Sequence, residues 1–301
     1  MLKRLACLTF LCLVLSLAAA CGESVTYQDM EVDTGVRYLD LGERKIKNFD
    51  TFYAFLDQLP ALEQVDMFAT PMTVGRIEEL TGRYPRIRFG MTMRFGEHTL
   101  RTDATAFSTL HTSDSGWHSD RELSLVRFCP NLYALDLGHN ALSDLSFLYE
   151  MPQLRVLIIA IARVQDITPI ASLKHLEYLE VFYNQITDIS PLAGLTELMD
   201  LNITYNYIED LSPLMELSGL RRLWMNECNK RKPSMPDAEM LEKLRQALPE
   251  CEIDPDSTST GGTWRTHPHY DVIYSMFRSG VYQPFADSRP ENLPDGYVVT
   301  E

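Results

Sequence analysis

Leucines fall at Leu132, Leu154, Leu176, Leu198 and Leu220, one every 22 residues, and each opens the same pattern of apolar residues three and five positions later. A unit this short cannot bury its own apolar side, so a run of them gains stability only by stacking on its neighbours. The period therefore demands a solenoid for the middle of the chain. The clearest unit is "LEYLEVFYNQITDISPLAGLTE", with Leu176, Leu179, Val181, Asn184, Ile186, Ile189, Leu192 and Leu195 in its inward positions. The next unit puts Leu198, Leu201, Ile203, Asn206, Ile208, Leu211, Leu214 and Leu217 in the same places. Strand side chains alternate faces, so Leu179 and Val181 point inward while Tyr178, Glu180 and Phe182 point to the opposite, outer face of the strand.

Three further columns repeat with the leucines. Asn140, Asn184 and Asn206 stand at strand ends, where a side-chain amide can bond the backbone groups of the turn. Ser146, Thr168, Ser190 and Ser212 recur in register, three of them followed by Pro169, Pro191 and Pro213. That pair predicts a helix start, with the hydroxyl accepting from a free amide and proline presetting φ. Asp144, Asp166, Asp188 and Asp210 lie two residues earlier. Orphan amides and the helix dipole account for such carboxylates, and the repeats lack the Gly-Asp spacing of calcium-binding β-rolls.

The motifs "NQITDISPLAGLTEL" and "NYIEDLSPLMELSGL" resemble the 22-residue leucine-rich repeats of the bacterial internalin type, from Leu132 to Asn226. The resemblance implies an α/β leucine-rich repeat solenoid with a parallel concave sheet and short helical or 3-10 return segments. It also implies a curved, non-enzymatic binding scaffold, without naming the ligand.

Outside this core the period is worn. Residues 36–131 read as irregular repeats: a rung at Leu39 and Leu41, a return helix through Phe52, Phe55 and Leu59, and a rung at Leu62, Val65 and Met67. A helix through Ile77 and Leu80 then leads to a strand with Ile87, Phe89 and Met91. Between 95 and 117 the period fails, and the threonine-rich character predicts an extended excursion or hairpin at the solenoid edge before Ser119-Asp120-Arg121-Glu122 restarts a helix as a capping box. Regular repeats and a last rung, "CEID", occupy 132–254, with Cys251 placed inward. After a polar linker at 255–263, residues 264–301 are dense in aromatics, with Tyr270, Ile273, Tyr274 and Phe277 at helical spacing. A solenoid end exposes an apolar cross-section, so this segment is predicted to cap it. Residues 36–254 are then one continuous solenoid, preceded by an N-terminal linker at 21–35.

Residues 1–20 read as an export signal: Lys3 and Arg4, an apolar run, then Ala18-Ala19-Ala20 before Cys21. "LAAAC" is compatible with a lipoprotein box, which makes Cys21 the lipid-bearing first residue of the mature chain, although Ala18 stands where leucine is usual. The chain is then an extracytoplasmic membrane lipoprotein, with free secretion the alternative. Formal net charge is -15, and loss of Lys3 and Arg4 makes it more acidic still. Phosphate binding needs clustered cations, so nucleic acid is not expected as a partner. Contact with a membrane is expected only through the lipid on Cys21.

The remaining cysteines of the mature chain, Cys129, Cys228 and Cys251, are odd in number, which excludes a complete disulfide framework. A pair between Cys228 and Cys251 and buried thiols are both open, the second favoured. His98, His111 and His118 are read as solvated loop histidines, and His267-Pro268-His269 as a poor metal motif. No metal, cofactor or catalytic constellation is expected.

Recognition is expected on the concave face. Val156, Ile158, Tyr178, Phe182 and Trp224 make it partly apolar, Glu180, Asn202 and Arg222 supply polar groups, and Tyr183 and Tyr205 follow the strand ends. Aromatic anchors rimmed by charge are what interface cores contain. The expected ligand is a protein or peptide, with a glycan as the other ligand class. An envelope structural protein and an accessory lobe of an enzyme system are the alternatives. If this face is open to solvent, replacing Tyr178, Phe182 and Trp224 should disturb folding far less than Leu179→Ala.

Overall fold

The computed structural model describes residues 23–110, 117–232, 234–257 and 262–299, so the export segment, Cys21 and His111 lie outside the described residues. The chain divides into two units, one holding residues up to Leu39 with Ile46–Glu63 and the other Asp40–Lys45 with Gln64 onward.

In the first unit, β1 (Ser24–Tyr27) and β2 (Met30–Asp33) form an antiparallel hairpin with Val25 opposite Val32. The segment read as a linker is therefore structured. Alternation puts Tyr27 and Val32 on one side, and Tyr27 stacks on Phe55 with ring centroids 4.8 Å apart. Phe55 belongs to α1 (Phe49–Leu56), whose N-terminus is capped by Asn48 accepting from the Thr51 amide at 3.1 Å. Strand β3 (Tyr38–Asp40) straddles the boundary between the units.

The second unit opens with β4 (Gln64–Thr73), α2 (Val74–Arg83) and β5 (Arg88–Phe95), the two strands parallel with a bulge between Asp66 and Pro71. Strand β5 then turns through Gly96, at φ 58°, into antiparallel β6 (His98–Arg101). The reversal ends that parallel ladder. The expectation of one continuous solenoid over 36–254 is corrected accordingly: β4, β5 and β6 share one sheet, and the regular rungs form another.

That second sheet has seven strands, all parallel: β7 (Ala106–Ser108), β8 (Ala134–Asp136), β9 (Val156–Ile158), β10 (Tyr178–Glu180), β11 (Asp200–Asn202), β12 (Arg222–Trp224) and β13 (Glu252–Asp254). Leu135, Leu157, Leu179, Leu201, Leu223 and Ile253 stand in one register and form the inward file. Two details differ from the reading above. Strand β7, inside the supposed excursion, is a rung in its own right, with Phe107 opposite Leu135; its apolar pattern is too short to show the period. Ile253, not Cys251, lies opposite Leu223, and Cys251 is half-buried. All three described cysteines are free thiols.

The return segments after β8, β9, β10 and β11 are single 3-10 turns, at Ser146–Glu150, Thr168–Ser172, Ser190–Leu192 and Ser212–Glu216, and the one after β12 is the helix α3 (Ala238–Ala247). The acceptor at the start of each 3-10 turn is the aspartate rather than the hydroxyl. The amides of Ser146, Thr168, Ser190 and Ser212 donate to Asp144, Asp166, Asp188 and Asp210 at 2.7–2.8 Å. The hydroxyls of Ser190 and Ser212 turn round and donate to the second carboxylate oxygen, at 2.9 and 2.7 Å. Hydrogen bonds from the Thr168 hydroxyl and amide hold the Asp166 carboxyl below the usual range, and those from the Ser212 amide and hydroxyl do the same for Asp210.

The asparagines stitch rung to rung. Asn184 Nδ2 donates to Val181 O at 3.1 Å and to Ile159 O of the preceding rung at 2.7 Å, while its Oδ1 accepts from Val164 N at 3.2 Å. Asn206 repeats this with Ile203, Val181 and Ile186. Asn140 reaches the amide of His118 at 3.0 Å, next to the capping box in which Glu122 accepts from Ser119 N at 2.9 Å. His118 and His98 are buried with their rings 5.0 Å apart, which corrects the reading of both as solvated. Period-two alternation in β6 turns His98 inward against Phe107.

Candidate functional site: the concave face and the segment that covers it

After β13 the chain passes through a 3-10 turn at Gly262–Arg265 into α4 (His269–Ser279). Ile273, Met276 and Phe277 form its buried face, and Tyr274 points to solvent. Gly280, left-handed at φ 69°, ends the helix. The chain then runs back as an irregular strap to Val299.

This aromatic segment lies across the concave sheet, where a cap on the solenoid end was expected. The Trp224 indole donates to Thr263 Oγ1 at 2.9 Å, and Trp264 meets Phe182 edge to face at 6.2 Å. His267 lies on Tyr178, and Phe285 packs 6.4 Å from the same ring. At the far side Ala106 N donates to Gly280 O at 3.3 Å, and Tyr282 N to Thr105 Oγ1 at 3.0 Å. Ser288 donates to Glu177 at 2.8 Å, and Glu177 also takes the buried Arg155 at 3.0 Å. The strap thus spans the sheet from β12 to β7.

The consequence for the expected recognition residues is direct. Val156, Ile158, Tyr178, Glu180, Phe182, Asn202 and Trp224 are all buried, Tyr178 to 1% exposure and Trp224 to 2%. Arg222 is partly buried. The expectation of a solvent-exposed face, with a triple replacement gentle to folding, is corrected: these side chains form a core with Trp264, Ile273, Met276, Phe277, Tyr282 and Phe285. A parallel sheet this apolar is covered on both faces, and a tethered segment of the same chain is the cover at highest effective concentration. Only Tyr183, 51% exposed, and the half-buried Tyr205 remain accessible among the predicted residues other than Arg222.

Polar groups are trapped under the strap. Glu180 accepts from the Tyr178 hydroxyl, and burial pushes its carboxyl up to about 8. Asp136, bonded by Ser108 Oγ at 2.8 Å and Gly138 N at 3.0 Å, is pushed by burial to about 6. Asn202 Nδ2 finds no hydrogen-bond partner.

Beside them, one cluster joins strand and strap. Asp200 of β11 is fully buried, receives Arg222 Nη2 at 3.1 Å and an Nε bond from the same guanidinium, and touches His269 Nδ1. His269 Nε2 lies 2.6 Å from Asp287. Donor atoms of Asp200, His267 and His269 all fall within 4.8 Å of one another. Sequence spacing had shown only two histidines separated by proline; the carboxylate comes from a strand 67 residues earlier than His267, and no local pattern carries that information.

A second surface is built at the strand ends. One non-glycine residue per repeat is left-handed there: His139, Ile161, Tyr183, Tyr205 and Glu227, at φ from 45° to 61°. The rings of Tyr183 and Tyr205 pack tilted by 43° with centroids 5.7 Å apart, and Lys230 Nζ sits 4.0 Å above Tyr183 and 5.4 Å from Tyr207. Arg231 covers Tyr207 at 4.8 Å. Further along the same edge, Trp117 is 60% exposed with Arg163 over its ring.

No family model matches the chain, and no curated protein matches it. Among solved structures it is similar to an internalin, InlF, of Listeria monocytogenes, at 20% identity and a TM-score of 0.35, over 65% of this chain and 51% of that one. Internalin C2 of the same organism matches at 20% identity and a TM-score of 0.33, over 68% of this chain and 80% of that one. A leucine-rich repeat protein of Leptospira interrogans matches at 16% identity and a TM-score of 0.32, over 66% and 74%. The chain spans about half the length of InlF. The repeat architecture itself rests on strand register and on the asparagine and aspartate ladders.

Proposed function

We propose that the chain is an exported leucine-rich repeat binding protein, non-enzymatic, anchored by a lipid on Cys21 and recognising a protein or peptide through its exposed tyrosine edge. The observation that carries this reading is the ridge of Tyr183, Tyr205 and Tyr207 capped by Lys230 and Arg231. The left-handed positions favour Gly or Asn, and other residues pay roughly 1–2 kcal/mol there. Aromatic side chains at Tyr183 and Tyr205 serve no backbone need. Tyrosine and arginine are the residues in which interface hot spots are rich. No described helix is long and apolar enough to cross a membrane.

A second reading keeps recognition on the concave face and requires the strap to lift. It is favoured by Asn202 Nδ2, a buried amide donor with no partner on the concave face. One experiment separates the two. The lipid-free mature chain is used as bait for envelope and extracellular proteins beside a Tyr183→Ser/Tyr205→Ser variant. Loss of capture in the tyrosine variant, with an unchanged melting temperature, supports the edge. Capture that survives there, with faster amide hydrogen exchange along β9 to β12 when the strap lifts from the sheet, moves recognition to the concave face.

A further inference from the structure

We propose that Asp200, His267 and His269 bind a divalent transition metal of the zinc class, which fastens the C-terminal strap to the concave sheet. One property of the cluster is left unexplained by ordinary packing, and two more suit a metal. His267 is 6% exposed, and neither of its ring nitrogens has a hydrogen-bond partner. Buried polar atoms are almost always satisfied, and a metal held together with Asp200 and His269 would satisfy one of these two nitrogens. Its ring is held in place by Tyr178, at 5.8 Å and 22°, and by Trp224 at 5.1 Å.

The second property is the tautomer. His269 Nε2 stands 2.6 Å from Asp287, the position of a proton donated to that carboxylate. Its Nδ1 lone pair then faces Asp200 Oδ2 in direct contact. Two acceptors in this contact share a proton, and to share a metal with bonds of about 2 Å they must move apart to roughly 3.3 Å. Imidazole held by a carboxylate on one nitrogen and by metal on the other is the usual outer arrangement of zinc sites. The third property is the donor set: two imidazoles and one carboxylate suit zinc-class ions and leave magnesium and calcium, which prefer all-oxygen shells, disfavoured.

Arg222 fits the same arrangement. It donates to both oxygens of Asp200, as outer partners of ligating carboxylates do, and also lies 3.1 Å from His269 Nδ1. Metal entry requires the guanidinium to yield Nδ1 while keeping Asp200. Two of the three ligands belong to the strap and the third to β11, so occupancy ties closure of the concave face to the metal.

The test uses the mature chain without lipid or histidine tag, stripped with chelator and titrated with zinc chloride by calorimetry, with metal content measured after gel filtration. One zinc per chain is expected, together with a higher melting temperature and slower proteolysis after residue 257. His267→Phe keeps the aromatic packing, so the metal-free chain should melt at or above the parent while zinc affinity falls at least tenfold. His267→Gln serves if the phenylalanine variant fails to fold. Asp287→Asn should weaken zinc roughly 10–100-fold. A parent chain that takes up no zinc at micromolar concentration, or His267 variants that bind it as the parent does, overturns the proposal and leaves a protonated His269 bridging Asp200 and Asp287.

Discussion

His267 lies on the ring of Tyr178 with centroids 5.8 Å apart and planes 22° from parallel. Tyr178 is the side chain that strand alternation directs out of the solenoid, and His267 belongs to the last segment of the chain. The position suited to a ligand's aromatic group is filled by the protein itself.

Replacing Phe285 by Ala should cost about 3–5 kcal/mol, as for other large buried aromatics, because its ring is fully buried between Tyr178 and His269. Urea unfolding of the variant measures this. A loss below about 1 kcal/mol would mean that the strap does not rest on the sheet.

Leu179→Ala removes a fully buried inward leucine and should cost about 2–5 kcal/mol. The combined replacement of Tyr178, Phe182 and Trp224 by Ala should be worse, since each stands in the core beneath the strap. Three such losses of about 3–5 kcal/mol together approach the whole stability of an ordinary domain, roughly 5–15 kcal/mol. Circular dichroism should show the triple variant largely unfolded at 25 °C while Leu179→Ala remains folded.

Glu180 gives the fold a pH dependence of known sign. Its carboxyl rises from 4.5 to about 8 on burial, so the folded state holds a proton that the unfolded state has released between those values. Stability from this group is complete below about 4.5 and is lost as pH rises toward about 8. In Glu180→Gln the amide still accepts from the Tyr178 hydroxyl but does not titrate. The difference in melting temperature between variant and parent should therefore grow in the variant's favour from pH 5 to pH 8. A difference that stays constant across that range would show that Glu180 is ionised when folded.

Asn184→Ala strands the ladder at two points, where Val164 N loses its acceptor and Ile159 O its side-chain donor, while Val181 O keeps Asn206 Nδ2. Unsatisfied buried groups make this cost about 1–3 kcal/mol. Amide hydrogen exchange should accelerate at Val164 and on both flanking rungs, not at one residue alone, because neighbouring repeats share their stability.

Several features are legible in the sequence because they are local. The 22-residue spacing from Leu132 to Leu220 determined the stacked strands and their register, since a short unit with one apolar side has no other way to bury it. The Asn184 and Asp188 columns were likewise visible, although which atom caps the turn was not: hydroxyl and carboxylate both qualify by type, and only geometry assigned the aspartate. The capping box at Ser119 needs four consecutive residues and was readable for that reason. Tertiary structure decided what covers Tyr178 and Trp224. Alternation says which side of a strand a residue faces, but not whether water or another part of the chain lies there. The same limit hid Asp200 beside His267 and His269, because their proximity depends on how α4 crosses the sheet and not on any spacing along the chain.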